Sequence, residues 1–192
     1  MGSTISYQPA SPDHEHYRTM ARKSAMMRHE CSQQSQVAYL SGNGARAKEL
    51  SLKSKEHGLE MDRYNNMARD IVFRVNNSSR PSNELDLHGL KVREALDITR
   101  ERLNRFIKNK EPNLIIIVGR GKNSLNGVAK IKPAVIELVT QFRIKATPNK
   151  PNQGCVYIEP LPGNEGYDFS WIDGFFKGFL QKLSALFFGS SK

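Results

Sequence analysis

Apolar residues recur at helical spacing over residues 14–40, through Tyr17, Met20, Ala21, Ser24 and Met27, until Ser41-Gly42-Asn43-Gly44 interrupts the run. A second helical pattern covers 45–75, where Ala47, Leu50, Leu52, Leu59, Met61, Tyr64, Ala68, Ile71 and Val72 mark a broad stripe. The two runs predict a helical hairpin over 14–77. Residues 1–13, with Pro9 and Pro12 and few apolar side chains, read as a disordered tail. The polar stretch Asn76-Asn77-Ser78-Ser79-Arg80-Pro81-Ser82 ends the hairpin and supplies a linker over 78–83.

Beyond the linker the rhythm changes. Leu85 and Leu87 alternate with Asp86 and His88, which predicts a short half-buried strand over 84–88. Val92, Leu96, Thr99, Leu103, Phe106 and Ile107 then follow a helical period. Leu114-Ile115-Ile116-Ile117-Val118 forms an unbroken run of the kind buried on both faces of a central strand. A helix over 132–141, with Pro133 in its first turn, and strands over 142–147 and 155–159 complete the order β-α-β-α-β-β. An α/β domain over 84–160 is therefore expected. In the remaining 161–192, Trp171, Ile172, Phe175, Phe176, Phe179, Leu180, Leu183, Leu186 and Phe187 follow an i, i+3, i+4 pattern. This segment falls short of the roughly 20 apolar residues a bilayer span needs. It reads as a helix docked on the protein's own core, a helix that binds a protein partner, or an interfacial membrane helix.

Composition narrows the function. The chain has 192 residues, and 29 Lys and Arg against 19 Asp and Glu give a net charge of +10. Such an excess favours a polyanionic partner. Counted by segment, the net charge is +4 over residues 1–80, +6 over 81–160 and zero over 161–192. The neutral C-terminal segment argues against attraction to acidic lipid, so a membrane is not the favoured partner. Cys31 and Cys155 stand far apart without metal-ligand spacing, which supports neither a disulfide framework nor a zinc site and points to a reducing compartment. The first residues carry no secretory pattern. They do fit the permissive M-G-x-x-x-S acylation pattern at Gly2, against which stands a plain tail.

Two motifs could carry chemistry. In Leu85-Asp86-Leu87-His88-Gly89-Leu90, strand alternation would place Asp86 and His88 on one face, where a carboxylate can orient an imidazole. The plainer alternative is a strand end whose Asp caps the next helix. In Gly119-Arg120-Gly121-Lys122-Asn123-Ser124, a glycine-rich turn after a buried strand could cradle phosphate, or could simply be a tight loop with solvated charges. It matches neither a P-loop nor a dinucleotide fingerprint. If the two strands are parallel, both motifs share a sheet edge. His88 as general acid or base, Asp86 as its support and Arg120 as a charge stabiliser then suit phosphodiester cleavage. Lys91, Arg93, Gly119, Gly121, Lys122, Ser124, Lys145 and Lys150 are the expected phosphate contacts. No cofactor is required; a divalent metal stays an alternative, although one His and one Asp make a thin ligand set.

At these residues the chain resembles the Smr (small MutS-related) domain. Leu85-Asp86-Leu87-His88-Gly89-Leu90 is similar to its LDxHG signature. Gly119 to Ser124, with Gly127 and the helix at Ile131-Lys132-Pro133, is similar to its second block, and Gly154-Cys155-Val156-Tyr157-Ile158 to its closing strand. Leu50, Lys55, His57, Met61, Asn65, Ala68, Ile71, Phe73 and Asn76 resemble the helical domain of unknown function that often precedes Smr in eukaryotic proteins. The resemblance implies a two-layer α/β sandwich similar to the C-terminal domain of bacterial translation initiation factor three. It also implies nicking of DNA or cleavage of RNA, in eukaryotes on stalled ribosomes, with the family's functional residues falling on Asp86, His88 and Arg120. Many members have Thr-Gly-x-Gly where this chain has Val118-Gly119-Arg120-Gly121, so a threonine hydroxyl is missing. The expected function is an endonuclease preferring RNA, with a ribosome as a possible partner and the cytoplasm, or else the nucleus, as its place. The alternative is a nucleic-acid- or ribosome-binding module that does not cut.

Overall fold

The computed structural model describes residues 13–121 and 128–161. The N-terminal tail, Lys122, Ser124 and the Phe-rich segment lie outside the described residues.

Two long helices form the hairpin: α1 (His14–Leu40) and α2 (Gly44–Asn77). Each starts where a side chain satisfies an orphan amide. The Asp13 carboxylate accepts from the His16 N–H at 2.8 Å, and the Asn43 side-chain oxygen from the Arg46 N–H at 3.0 Å. The contact surface is narrower than the sequence stripe. Ala21, Ala47, Leu50, Ala68 and Val72 are buried, whereas Leu52 and Leu59 are exposed. Two packed helices cover only one face of each other, so apolar positions flanking the small-residue seam remain in water.

The α/β unit follows as β1 (Glu84–Asp86), α3 (Val92–Lys108), β2 (Leu114–Ile117), α4 (Ile131–Gln141), β3 (Lys145–Pro148) and β4 (Cys155–Glu159). The sheet order is β1-β2-β4-β3. β1 and β2 run parallel, with Leu85 opposite Ile116, while β4 is antiparallel to both β2 and β3. The element order matches the expected β-α-β-α-β-β arrangement.

Three local expectations change. β2 is not buried on both faces: Leu114 and Ile116 are inaccessible, but Ile115 and Ile117 are only partly covered. Leu114 and Ile116 join Leu96, Leu103, Phe106, Leu138 and Val139 in one core, as a two-layer sandwich requires. β3 starts at Lys145 because Phe142 caps α4 and Arg143 turns the chain with φ +54°. β1 ends at Asp86, so His88 lies in a turn beyond it.

Candidate functional site

Parallel pairing of β1 and β2 brings their C-terminal ends to one edge of the sheet. The Asp86 side chain there is wholly buried, while that of His88 is 55% exposed. One Asp86 oxygen, Oδ1, accepts from the His88 backbone N–H at 3.1 Å and lies 2.5 Å from His88 Nδ1. The pair therefore meets through a turn in which Asp86 grips the amide two residues ahead, not through strand alternation. In the form with an ionised carboxylate and a neutral imidazole, this contact puts the proton on Nδ1 and leaves the lone pair on Nε2.

The second Asp86 oxygen is held from outside the strand. Arg80, in the linker, donates from Nη2 to Oδ2 at 2.7 Å and from Nη1 to Glu84 at 3.2 Å. Asn77, the last residue of α2, accepts from the Asp86 N–H and donates to the Asp86 carbonyl, both at 2.8 Å. Asn76 Nδ2 donates to the His88 carbonyl at 2.8 Å. In the sequence these three residues mark only a helix end and a linker. Asn, Ser and Pro at a helix terminus are ordinary turn chemistry, so nothing local marks them as part of a site. A cleft of about 170 Å³ beside them is lined by His14, Ile71, Val72, Val75, Asn76, His88 and Gly89.

The second motif reaches the same place. The Val118 and Gly119 amides both donate to the Gly154 carbonyl, at 2.8 and 3.1 Å, which ties this turn to the loop before β4. Gly119 has φ +74°, and a Cβ built on it would lie 3.4 Å from His88 Cβ. The positive φ is what favours glycine here, since the 3.4 Å approach is an ordinary contact. The exposed Arg120 follows directly. Gly121 is needed for a different reason: its Cβ would fall 2.6 Å from the Ala129 backbone, so the turn is closed against the chain leading into α4.

The remaining expected contacts separate. Arg93 is exposed in the first turn of α3. Lys91 donates to Asn65 Oδ1 of the hairpin at 2.7 Å. Desolvation of its ammonium, reinforced by Arg18, holds Lys91 below the usual lysine range. Lys150 stacks over the Tyr157 ring at 4.0 Å, in the loop that reaches the Gly119 turn. Lys145 pairs with Glu159 at 2.7 Å at the start of β3, the end of the sheet away from Asp86 and His88. The antiparallel β3–β4 pairing sends the two ends of that hairpin to opposite edges, so Lys145 and Lys150 do not share one cluster. Among the described residues, no group of three or more His, Cys, Asp and Glu comes together that could hold a metal ion. No helix among them is long and apolar enough to cross a membrane.

Known proteins resemble this chain in sequence. Residues 14–77 match the model of a domain of unknown function, DUF1771, and residues 85–159 match that of the Smr domain. The chain is 39% identical over 147 residues to "Endonuclease NBR9" of Saccharomyces cerevisiae, covering 77% of this chain and 61% of that protein's length. It is 37% identical over 146 residues to an Smr domain-containing protein of Schizosaccharomyces pombe, covering 76% of this chain and 70% of the relative. The solution structure of the B3BP Smr domain is 37% identical, covers 50% of this chain and 96% of that one, and has a TM-score of 0.41. With both models matched in the order that the two motifs and the hairpin imply, this chain belongs to the Smr domain family, its Smr domain preceded by DUF1771.

Proposed function

We propose that this protein is an endonuclease that cleaves RNA at the sheet edge formed by Asp86, His88 and Arg120. The observation carrying this reading is the 2.5 Å contact between His88 Nδ1 and the wholly buried Asp86, which leaves Nε2 of a half-exposed imidazole as the basic nitrogen. The endonuclease name of the yeast relative, the Smr match and the net charge of +6 over residues 81–160 support the same reading. Nucleic-acid binding is its coarser part.

In the proposed reaction Nε2 takes the proton of a ribose 2′-hydroxyl. The 2′-oxygen bonds to phosphorus, the bond to the 5′-oxygen breaks, and the leaving oxygen takes a proton from the imidazolium or from water. Arg120, presented by the turn packed on His88, stabilises the charge that builds on the phosphoryl oxygens. The products are a 2′,3′-cyclic phosphate and a 5′-hydroxyl. A neutral imidazole oriented by a carboxylate suits this role, and general base catalysis contributes about 10²- to 10⁴-fold. An association with ribosomes in the cytoplasm belongs to the same proposal.

Labelled structured RNA and duplex DNA, each with and without divalent metal, test it. RNA cleavage leaving cyclic phosphate ends, lost in His88→Ala with RNA affinity retained, is the expected result. Intact RNA with retained binding would make the protein a binding module, and equal cutting by His88→Ala would sink the site assignment.

A further inference from the structure

From these contacts we infer that Arg80 is a positioning residue for the Asp86–His88 pair, and that the end of the helical hairpin, through Arg80 and Asn77, is a working part of the Smr site. The inference rests on the role proposed for His88 and deepens it.

Asp86 has no solvent exposure, and a buried carboxylate keeps its charge only beside a compensating positive group. The imidazole cannot be that group while it acts as a base, because it is then neutral. Arg80 supplies a permanent charge at 2.7 Å from Oδ2, on the opposite side of the carboxylate from His88. It thereby lets Asp86 be ionised while His88 is not, the combination that holds the proton on Nδ1 and the lone pair on Nε2.

The geometry of Arg80 suits holding in place more than simple charge balance. Its Nη1 is fixed by Glu84 at 3.2 Å and its Nε by the Asn76 carbonyl at 3.4 Å, so Nη2 has one direction in which to point. Asn77 fixes the other half of the arrangement by gripping the Asp86 backbone at both N–H and carbonyl. The charged and titratable groups facing the imidazole are Asp86 on β1 and His14 across the cleft at the start of α1. Behind Asp86 stand Arg80 and Glu84, and Arg120 follows the turn packed on His88. None of these except Arg80 sits on the far oxygen of Asp86 among the described residues. An Smr strand without the hairpin end would lack this support.

The test uses the full chain with ¹⁵N-labelled histidine. Long-range proton–nitrogen spectra at a pH where the ring is neutral report which nitrogen carries the proton. In the wild type His88 is expected as the Nδ1–H form. In Arg80→Ala the spectrum should move toward a mixture of the two neutral forms. RNA cleavage should fall in kcat by about 10- to 100-fold, the range for loss of an orienting partner, with KM changed less than about twofold. Arg80→Lys, which keeps the charge but not the fork, should fall between them and serves if Arg80→Ala does not fold. Asn77→Ala should shift the His88 signal in the same direction. A folded Arg80→Ala, or in its place Arg80→Lys, with the wild-type His88 signature would overturn the inference. Because the nitrogen spectrum needs no turnover, that outcome is separate from a wild type that fails to cleave.

Discussion

The Arg18 guanidinium on α1 makes two parallel hydrogen bonds of 2.6 Å to the Glu94 carboxylate on α3, and both residues are buried. This fork joins the hairpin to the α/β unit. Glu94 also accepts from the Lys91 N–H at 3.0 Å, capping α3, and Arg18 donates to Asn65 on α2 at 3.1 Å. One ion pair thus ties three helices near the site.

Removing one partner of such a pair leaves a buried charge uncompensated. Arg18→Ala is expected to destabilise the chain by about 3–5 kcal/mol. The Arg18→Met, Glu94→Leu double variant should recover much of that loss, because neither charge then needs a partner. Urea denaturation of the full chain measures both.

Gly119→Ala should cost about 1–2 kcal/mol, since φ at this position is +74°. Its added methyl would lie in ordinary van der Waals contact with His88 at 3.4 Å, so the cost comes from the backbone conformation and not from a clash. Gly121→Ala should be more destabilising, because its Cβ meets backbone at 2.6 Å. Gly44→Ala, where a Cβ meets nothing within 4 Å, should be nearly silent. Thermal unfolding and RNA cleavage of the three variants check this order.

Lys150 and Lys145 should behave differently toward RNA. Lys150 lies in the loop tied to the Gly119 turn, whereas Lys145 is committed to Glu159 at the other end of the sheet. Lys150→Ala is expected to weaken RNA binding and to reduce the salt slope by about one. Lys145→Ala should leave both unchanged. Binding titrations at several salt concentrations decide it.

The Lys145 ammonium beside Glu159 also holds that carboxyl below its usual range. A carboxylate with a lowered pKa in the folded state adds stability above its ordinary pKa, and that contribution fades as pH falls through the lowered value. Lys145→Ala should therefore move the Glu159 titration upward, as carbon-detected NMR would record. The acid limb of the stability curve should become less steep.

Much of the site was legible because its residues are neighbours in sequence. Asp86 and His88 stand two apart, and Gly119, Arg120 and Gly121 are consecutive, so short-range stereochemistry constrains each group wherever it lies. The shared sheet edge is conditional on β1 and β2 running parallel, which the β1–β2 pairing in the fold supplies. The details that failed depend on what covers a surface. Ile115 and Ile117 look as apolar as Leu114 and Ile116, and only the side on which α3 and α4 pack tells them apart.

By itself the sequence determined the hairpin, the order of strands and helices, the family, and the residues at the two motifs, because periodicity and turn chemistry are local. Tertiary structure alone decided that Arg80, Asn76 and Asn77 reach Asp86 and His88, that Arg18 meets Glu94 across 76 positions, and that Lys145 faces away from the site. Polar side chains in a linker or on a helix carry no periodic mark of their partners. Their pairing follows from how the hairpin docks, and a carboxylate buried by that docking must find its counter-charge in whatever part of the chain arrives beside it.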